Sequence, residues 1–187
     1  PTNMDDLKKN IRPNIIDESR YDFYIPMGDL GSIFRNHRHD FLNQPISFLK
    51  SDELKKKKFR SLIQRQNKFI CGISWKSAAA GGDVKSLKLS QLKKIFDIKT
   101  IDFVSLQYGD VSDEIFAFDK ILHIESLDYF NQLDELFALV DACDFIITTS
   151  NVTAHIAGAL GKETYLLRLF DSRLWYWHKA DEYSLWY

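Results

Sequence analysis

The sequence predicts an α/β fold, a parallel sheet flanked by helices, and three observations carry that expectation. Short apolar runs recur at 68–75, 100–106, 121–124 and 145–147, the pattern of strands buried on both faces. Helical patterns or cap residues lie between them, at a spacing that favours right-handed crossovers. Polar loop residues follow three of the runs immediately, as at the carboxyl edge of such a sheet. The 187 residues, 45% hydrophobic and 27% charged, suffice for one complete core.

Residues 1–20 are polar and weakly patterned, and read as a linker or the ragged end of a preceding domain. Tyr21 to Gly31 reads as an edge strand and loop, and Arg35 to Asp40, with His37 and His39, as a solvated loop. Residues 1–50 are therefore assigned to a linker and remnant of a preceding domain, and 51–187 to the main domain. Asp52 to Gln66 has acids first and lysines after, matching the helix dipole, and reads as a surface helix with a solvated lysine face.

Lys68–Trp75 is the first buried strand, and Lys76 to Asp83 the loop it feeds. Leu89–Phe96 reads as a short helix capped by Ser90 or a neighbour. Thr100–Leu106 is the next strand, with Gln107, Tyr108, Gly109 and Asp110 as its exit. Ser112–Ala117 reads as a short helix, Ile121–Ile124 as a third strand, and Asn131–Cys143 as a helix with Leu133, Leu136, Phe137 and Val140 at helical spacing.

The central stretch is Asp144 to Lys162. Phe145, Ile146 and Ile147 form a strand, Thr148 to Asn151 a polar loop, and Val152 to Leu160 a buried helix capped by Ser150 or Asn151. Ala154, Ala157 and Gly158 share one helix face, which would let the helix press close to the sheet, while Val152, Ile156 and Leu160 share another. Gly161 stops the helix, and Glu163–Leu169 resumes as a strand. The first backbone N–H groups of such a helix lack intrahelical partners and face an incoming anion.

Several classes are disfavoured. No apolar run approaches the roughly 18 residues of a membrane span and no signal-peptide pattern occurs, so no span and a cytoplasmic location are expected. Cys71 and Cys143 fall in or beside buried strands and do not form a disulfide framework. No CxxC pattern occurs, and the five histidines are scattered, so no metal is expected. A net charge of −1 gives no general attraction to nucleic acid, and between Asp110 and Asp144 the acids face a single base, Lys120. Neither a G-x-G-x-x-G nor a G-x-x-x-x-G-K-[ST] pattern is present, against nucleotide-dependent reductases and P-loop enzymes. Pro1 at the start and the aromatics Trp175, Tyr176, Trp177, Tyr183 and Trp186 at the end suggest a piece of a longer protein.

Ile73-Ser-Trp-Lys76, Phe103-Val-Ser-Leu-Gln107, the Asp128–Asp144 segment and Ser150-Asn-Val-Thr-Ala-His-Ile-Ala-Gly-Ala-Leu-Gly161 occur in that order. Over roughly residues 21–187 they resemble the carboxyl-terminal half of B-type glycosyltransferases, specifically the domain that follows tetratricopeptide repeats, similar to heptosyltransferases and distantly to O-linked N-acetylglucosamine transferases. Members of that group often carry Asp-Thr where this chain has Ser150-Asn151. The resemblance implies a Rossmann-like domain holding a nucleotide-diphospho-sugar donor without a cofactor or metal. It further implies Lys76 at the phosphates, Gln107 and Tyr108 on the nucleoside side, Asp128 and Asn131 near the ribose, and Thr149, Ser150, Asn151, Thr153 and His155 around the diphosphate.

Catalytic residues remain unassigned, because the implied acceptor-binding domain is mostly absent and this half would bind without catalysing alone. The aromatic end, Trp175 to Tyr187, would pack on that domain or on a second copy in a homodimer, and tetratricopeptide repeats are a further expected partner. The alternative is a degenerate interaction module attached to the repeats.

Overall fold

The computed structural model describes residues 20, 22–65, 67–78, 82–168, 177 and 182–187, and the chain divides between Asn43 and Gln44 into two compact units. The expected linker over 1–20 lies outside the described residues but for Arg20, as do Tyr21, Ala79, Ala80, Gly81, Leu169, Trp175 and Tyr176.

In the first unit, the strand expected over 21–31 does not form among the described residues. Met27–Leu30 is instead a 3-10 turn that runs into helix α1 (Gly31–Phe34). Pro26, with φ −57°, precedes the turn; it lacks an N–H for a strand ladder and has the dihedral a helical turn needs. A second 3-10 turn, Arg38–Phe41, is closed by the Asp40 carboxylate, which accepts from the His37 N–H at 2.9 Å. The His37 and His39 rings stack with centroids 5.3 Å apart.

The second unit begins at Gln44, ahead of the expected start at Ser51, because the Phe48 and Leu49 N–H groups both donate to Ala159 O. Helix α2 (Glu53–Ile63) is capped by Asp52, which accepts from the Leu54 and Lys55 N–H groups. Then follow β1 (Phe69–Ser74), β2 (Ile101–Ser105), α3 (Ser112–Phe116), β3 (Ile121–Leu122), α4 (Leu133–Ala142), β4 (Phe145–Thr149), α5 (Val152–Ala159) and β5 (Glu163–Leu167). Asn151 caps α5, its side chain accepting from the Thr153 N–H. Leu89–Asp97 is a 3-10 helix, with the Lys88 N–H donating to Gln91 Oε1 and no cap from Ser90. Leu89, Leu92 and Ile95, three residues apart, all pack in one core cluster, and a three-residue turn aligns them.

The five strands are all parallel, in the order β3-β2-β1-β4-β5. The chain builds outward from β1 to β3, then returns past β1 to β4 and β5. The switch falls between β1 and β4, whose register pairs Ser74 with Thr148. A Rossmann-like α/β architecture is thereby established, with helices on its faces.

One face packs α2, α4 and α5 through Phe59, Leu139 and Ile156 against Ile70, Val104 and Ile146. The other packs Leu89 and Phe96 against Cys71, Ile73 and Phe103. At Gly72 a Cβ would stand 2.5 Å from a Leu106 methyl and 2.7 Å from one of Ile146, so glycine is what lets this layer close. Both cysteines are buried and unbridged, and burial pushes the Cys71 thiol up to about 12. The small face of α5 is used differently from expectation. Ala157 enters the core, but Gly158 lies beneath the Tyr187 ring, 2.4 Å from where a Cβ would sit, and not against the sheet.

Ion pairs join α2 to α4. Lys55 Nζ meets Glu135 at 2.9 Å and Lys56 Nζ meets Asp141 at 3.1 Å, so part of the lysine face is neutralised by the acids of α4. Asp144 accepts from Arg60 Nη1 and from the Ile70 N–H, both at 2.7 Å. Burial alone would raise this carboxyl, but the two donors outweigh it and hold it below its ordinary 3.8. No helix among the described residues is long and apolar enough to cross a membrane.

Two stability outcomes follow. A carboxyl lowered on folding contributes stability above its unfolded pKa and loses it as pH falls through the folded value. The melting temperature should therefore drop on acidification below about pH 4, and less steeply in Asp144→Asn, as read by circular dichroism. Gly161 has φ +71°, with Ile46 O 2.9 Å from a would-be Cβ. Gly161→Ala should cost about 1–2 kcal/mol in denaturant unfolding, because both strain and contact oppose it.

Candidate ligand site at the switch point

The exits of β1, β2 and β4 lie side by side at the carboxyl edge of the sheet, where ligands of open parallel sheets bind. Gln107 and Asn151 stitch them together. Gln107 Oε1 accepts from Ser74 Oγ at 3.1 Å and from the Trp75 and Lys76 N–H groups, each at 2.8 Å. Its Nε2 donates to Tyr108 O at 3.0 Å and to Lys76 O at 3.4 Å. Asn151 Nδ2 donates to Ser74 Oγ at 2.7 Å and to Lys76 O at 3.0 Å. Its Oδ1 accepts from Thr148 Oγ1 at 3.1 Å and from the Thr153 N–H at 2.9 Å.

The main chain of Lys76 is thus brought to the start of α5, but its ammonium is not. Lys76 Nζ pairs with Glu114 of α3, whose other oxygen accepts from Trp75 Nε1 at 3.0 Å. The Tyr108 hydroxyl accepts from the Ala78 N–H at 3.3 Å, and its ring meets the 57% exposed Phe130 edge-on at 5.1 Å. These form an aromatic pair beside the β2 exit. Asp128, near it, closes a turn by accepting from the Phe130 and Asn131 N–H groups and from the Asn131 side chain.

On the α5 side, Ser150 Oγ accepts from Trp177 Nε1 at 2.8 Å. The His155 ring stacks on Trp177 at 4.7 Å, and its Nδ1 lies 2.9 Å from the Tyr187 hydroxyl. Burial holds His155 below its ordinary 6.5, so the imidazole is neutral at neutral pH and charging it opposes the fold as pH falls below that value. Thr149 and Thr153 are fully buried, and among the described residues their hydroxyl oxygens have no hydrogen-bond partner.

All eight sequence-predicted residues, Lys76, Gln107, Tyr108, Thr149, Ser150, Asn151, Thr153 and His155, lie at these three exits or in the first turn of α5. Several partners escaped the sequence reading, among them Ser74, which ends a strand, Glu114, one acid in an acid-rich stretch, and Trp177 and Tyr187, which stand far along the chain, so no local signal tied any of them to the site. Among the described residues no cluster of three metal-ligating side chains occurs.

The fold and site define a Rossmann-like α/β domain with a polar cluster gathered at the switch point of its sheet. The chain is similar to the protein FlbA of Caulobacter vibrioides, at 28% identity over 186 residues. The match covers 94% of this chain but 30% of FlbA, so the chain spans under a third of that relative's length. No family model matches the chain, and no solved structure matches it.

Any phosphate that approached Lys76 would compete with Glu114 for its ammonium. Glu114→Gln should therefore raise the affinity for inorganic pyrophosphate by up to about fivefold, the scale of a partly exposed ion pair. Isothermal titration would read it, and the gain should vanish in the double variant with Lys76→Ala.

Proposed function

We propose that this chain is the nucleotide-diphospho-sugar-binding half of a glycosyltransferase. The observation that carries the reading is the meeting of the Lys76 loop with the capped start of α5 at the switch point, through the 3.0 Å bond from Asn151 to Lys76 O. A diphosphate there would accept from the Val152 N–H at the start of α5, Val152 being 49% exposed, since Asn151 already takes the Thr153 and Ala154 N–H groups, while Lys76 would supply positive charge on release from Glu114. The Tyr108 and Phe130 rings offer a surface on which a base can stack. The acceptor and the general base belong, on this reading, to a domain outside the chain. The amino-terminal remnant, tetratricopeptide repeats, a homodimer and a cytoplasmic setting are parts of the same proposal.

A second reading, a non-catalytic interaction module, is favoured by one observation. Trp177 and Tyr187 already hold Ser150 and His155, two of the residues a donor would need.

Titration with UDP, ADP, GDP and CMP separates the two. The donor-site reading expects one nucleotide class to bind and Lys76→Ala to weaken it about tenfold or more. Absence of binding by folded protein supports the module.

A further inference from the structure

We infer that Gln107 and Asn151 are positioning residues that never read the ligand: together they fix both main-chain groups of Lys76, and through them the course of the loop that leaves β1. A carboxamide has two acceptor lone pairs and two donor protons. Gln107 Oε1 already faces three donors and Nε2 two carbonyls, and the residue is 1% exposed. Neither amide group retains a proton or a lone pair for a nucleobase or ribose. The surroundings also fix its orientation, since reversing the amide would set a donor against donors and an oxygen against carbonyls.

Asn151, 7% exposed, is spent in the same way on the other side of Lys76. Ser74 Oγ links the two amides, donating to Gln107 and accepting from Asn151. The Lys76 N–H is held by Gln107, and the Lys76 carbonyl by both residues. A loop after a buried strand has no ladder to satisfy these groups, so the side chains of two neighbouring exits do it.

The test has one arm that needs no ligand. In the unliganded chain, Gln107→Met should speed hydrogen exchange at the Trp75 and Lys76 amides about tenfold or more, the loss of one buried bond each, while α4 amides stay protected. Asn151→Ser keeps a helix cap but cannot reach Lys76, and should loosen the same loop without unfolding α5. Unchanged exchange at Trp75 and Lys76 in both variants overturns the inference.

The ligand arm rests on the nucleotide reading. Both substitutions should weaken UDP, ADP, GDP and CMP by a common factor, whereas a changed ranking among the bases for Gln107→Met would make it a reader and overturn the inference. If no nucleotide binds the unaltered chain, the functional reading fails and the exchange arm still decides this one.

Discussion

The pairing of β1 with β4 is the constraint on which the rest of the unit depends. It sets Ser74 beside Thr148 in register, so two loops leave the sheet side by side and one asparagine can cap a helix and hold the neighbouring loop. That pairing is long-range and parallel, and it exists only because the chain returns past β1 after building β2 and β3. A slip of one residue would carry Cys71 and Ile73 to the opposite face and part Ser74 from Asn151. Core packing and the geometry of the site are therefore one requirement, met by the same register.

Polar anchoring beneath the sheet follows a similar logic. Asp144 ends the approach to β4 by joining Arg60 of α2 to the Ile70 N–H of β1, while Asp141 gathers Ser51, Lys56 and Lys162. Burial alone would raise both carboxyls, and the donors around them outweigh it and hold them below their ordinary 3.8. The acid-rich stretch between Asp110 and Asp144, which by charge alone repels phosphate, thus divides: part of it neutralises the lysines of α2, and Glu114 occupies Lys76.

Much of the fold was legible because its strands are short apolar runs and its helices carry caps or periodic patterns. Phe69–Ser74 and Ile101–Ser105 fall where the pattern put them, and Asn151 is one of the two expected caps, whereas β4 runs on through Thr148 and Thr149, whose polar side chains had marked them as loop. The Tyr21 region misled because β-favouring residues form a strand only beside a partner, and Pro26 helps start a turn instead. The short helix read over Leu89–Phe96 forms as a 3-10 helix over Leu89–Asp97, whose three-residue turn aligns apolar positions three apart. At the site the residue types were legible but their duties were not. A glutamine after a strand reads the same whether its amide meets a ligand or a backbone, and only the neighbouring exit decides.

That distinction bears on how such a site can change in use. Gln107, Asn151 and Ser74 are buried and mutually satisfied, so altering any one strands the others with unpaired polar groups. Lys76 Nζ, Tyr108 and Phe130 lie partly in solvent and make bonds that cost little to exchange. The rigid part of the site is thus the layer that holds the loops, and the adaptable part is the layer that faces outward. A changed side chain in the second set leaves the sheet edge intact, whereas one in the first does not.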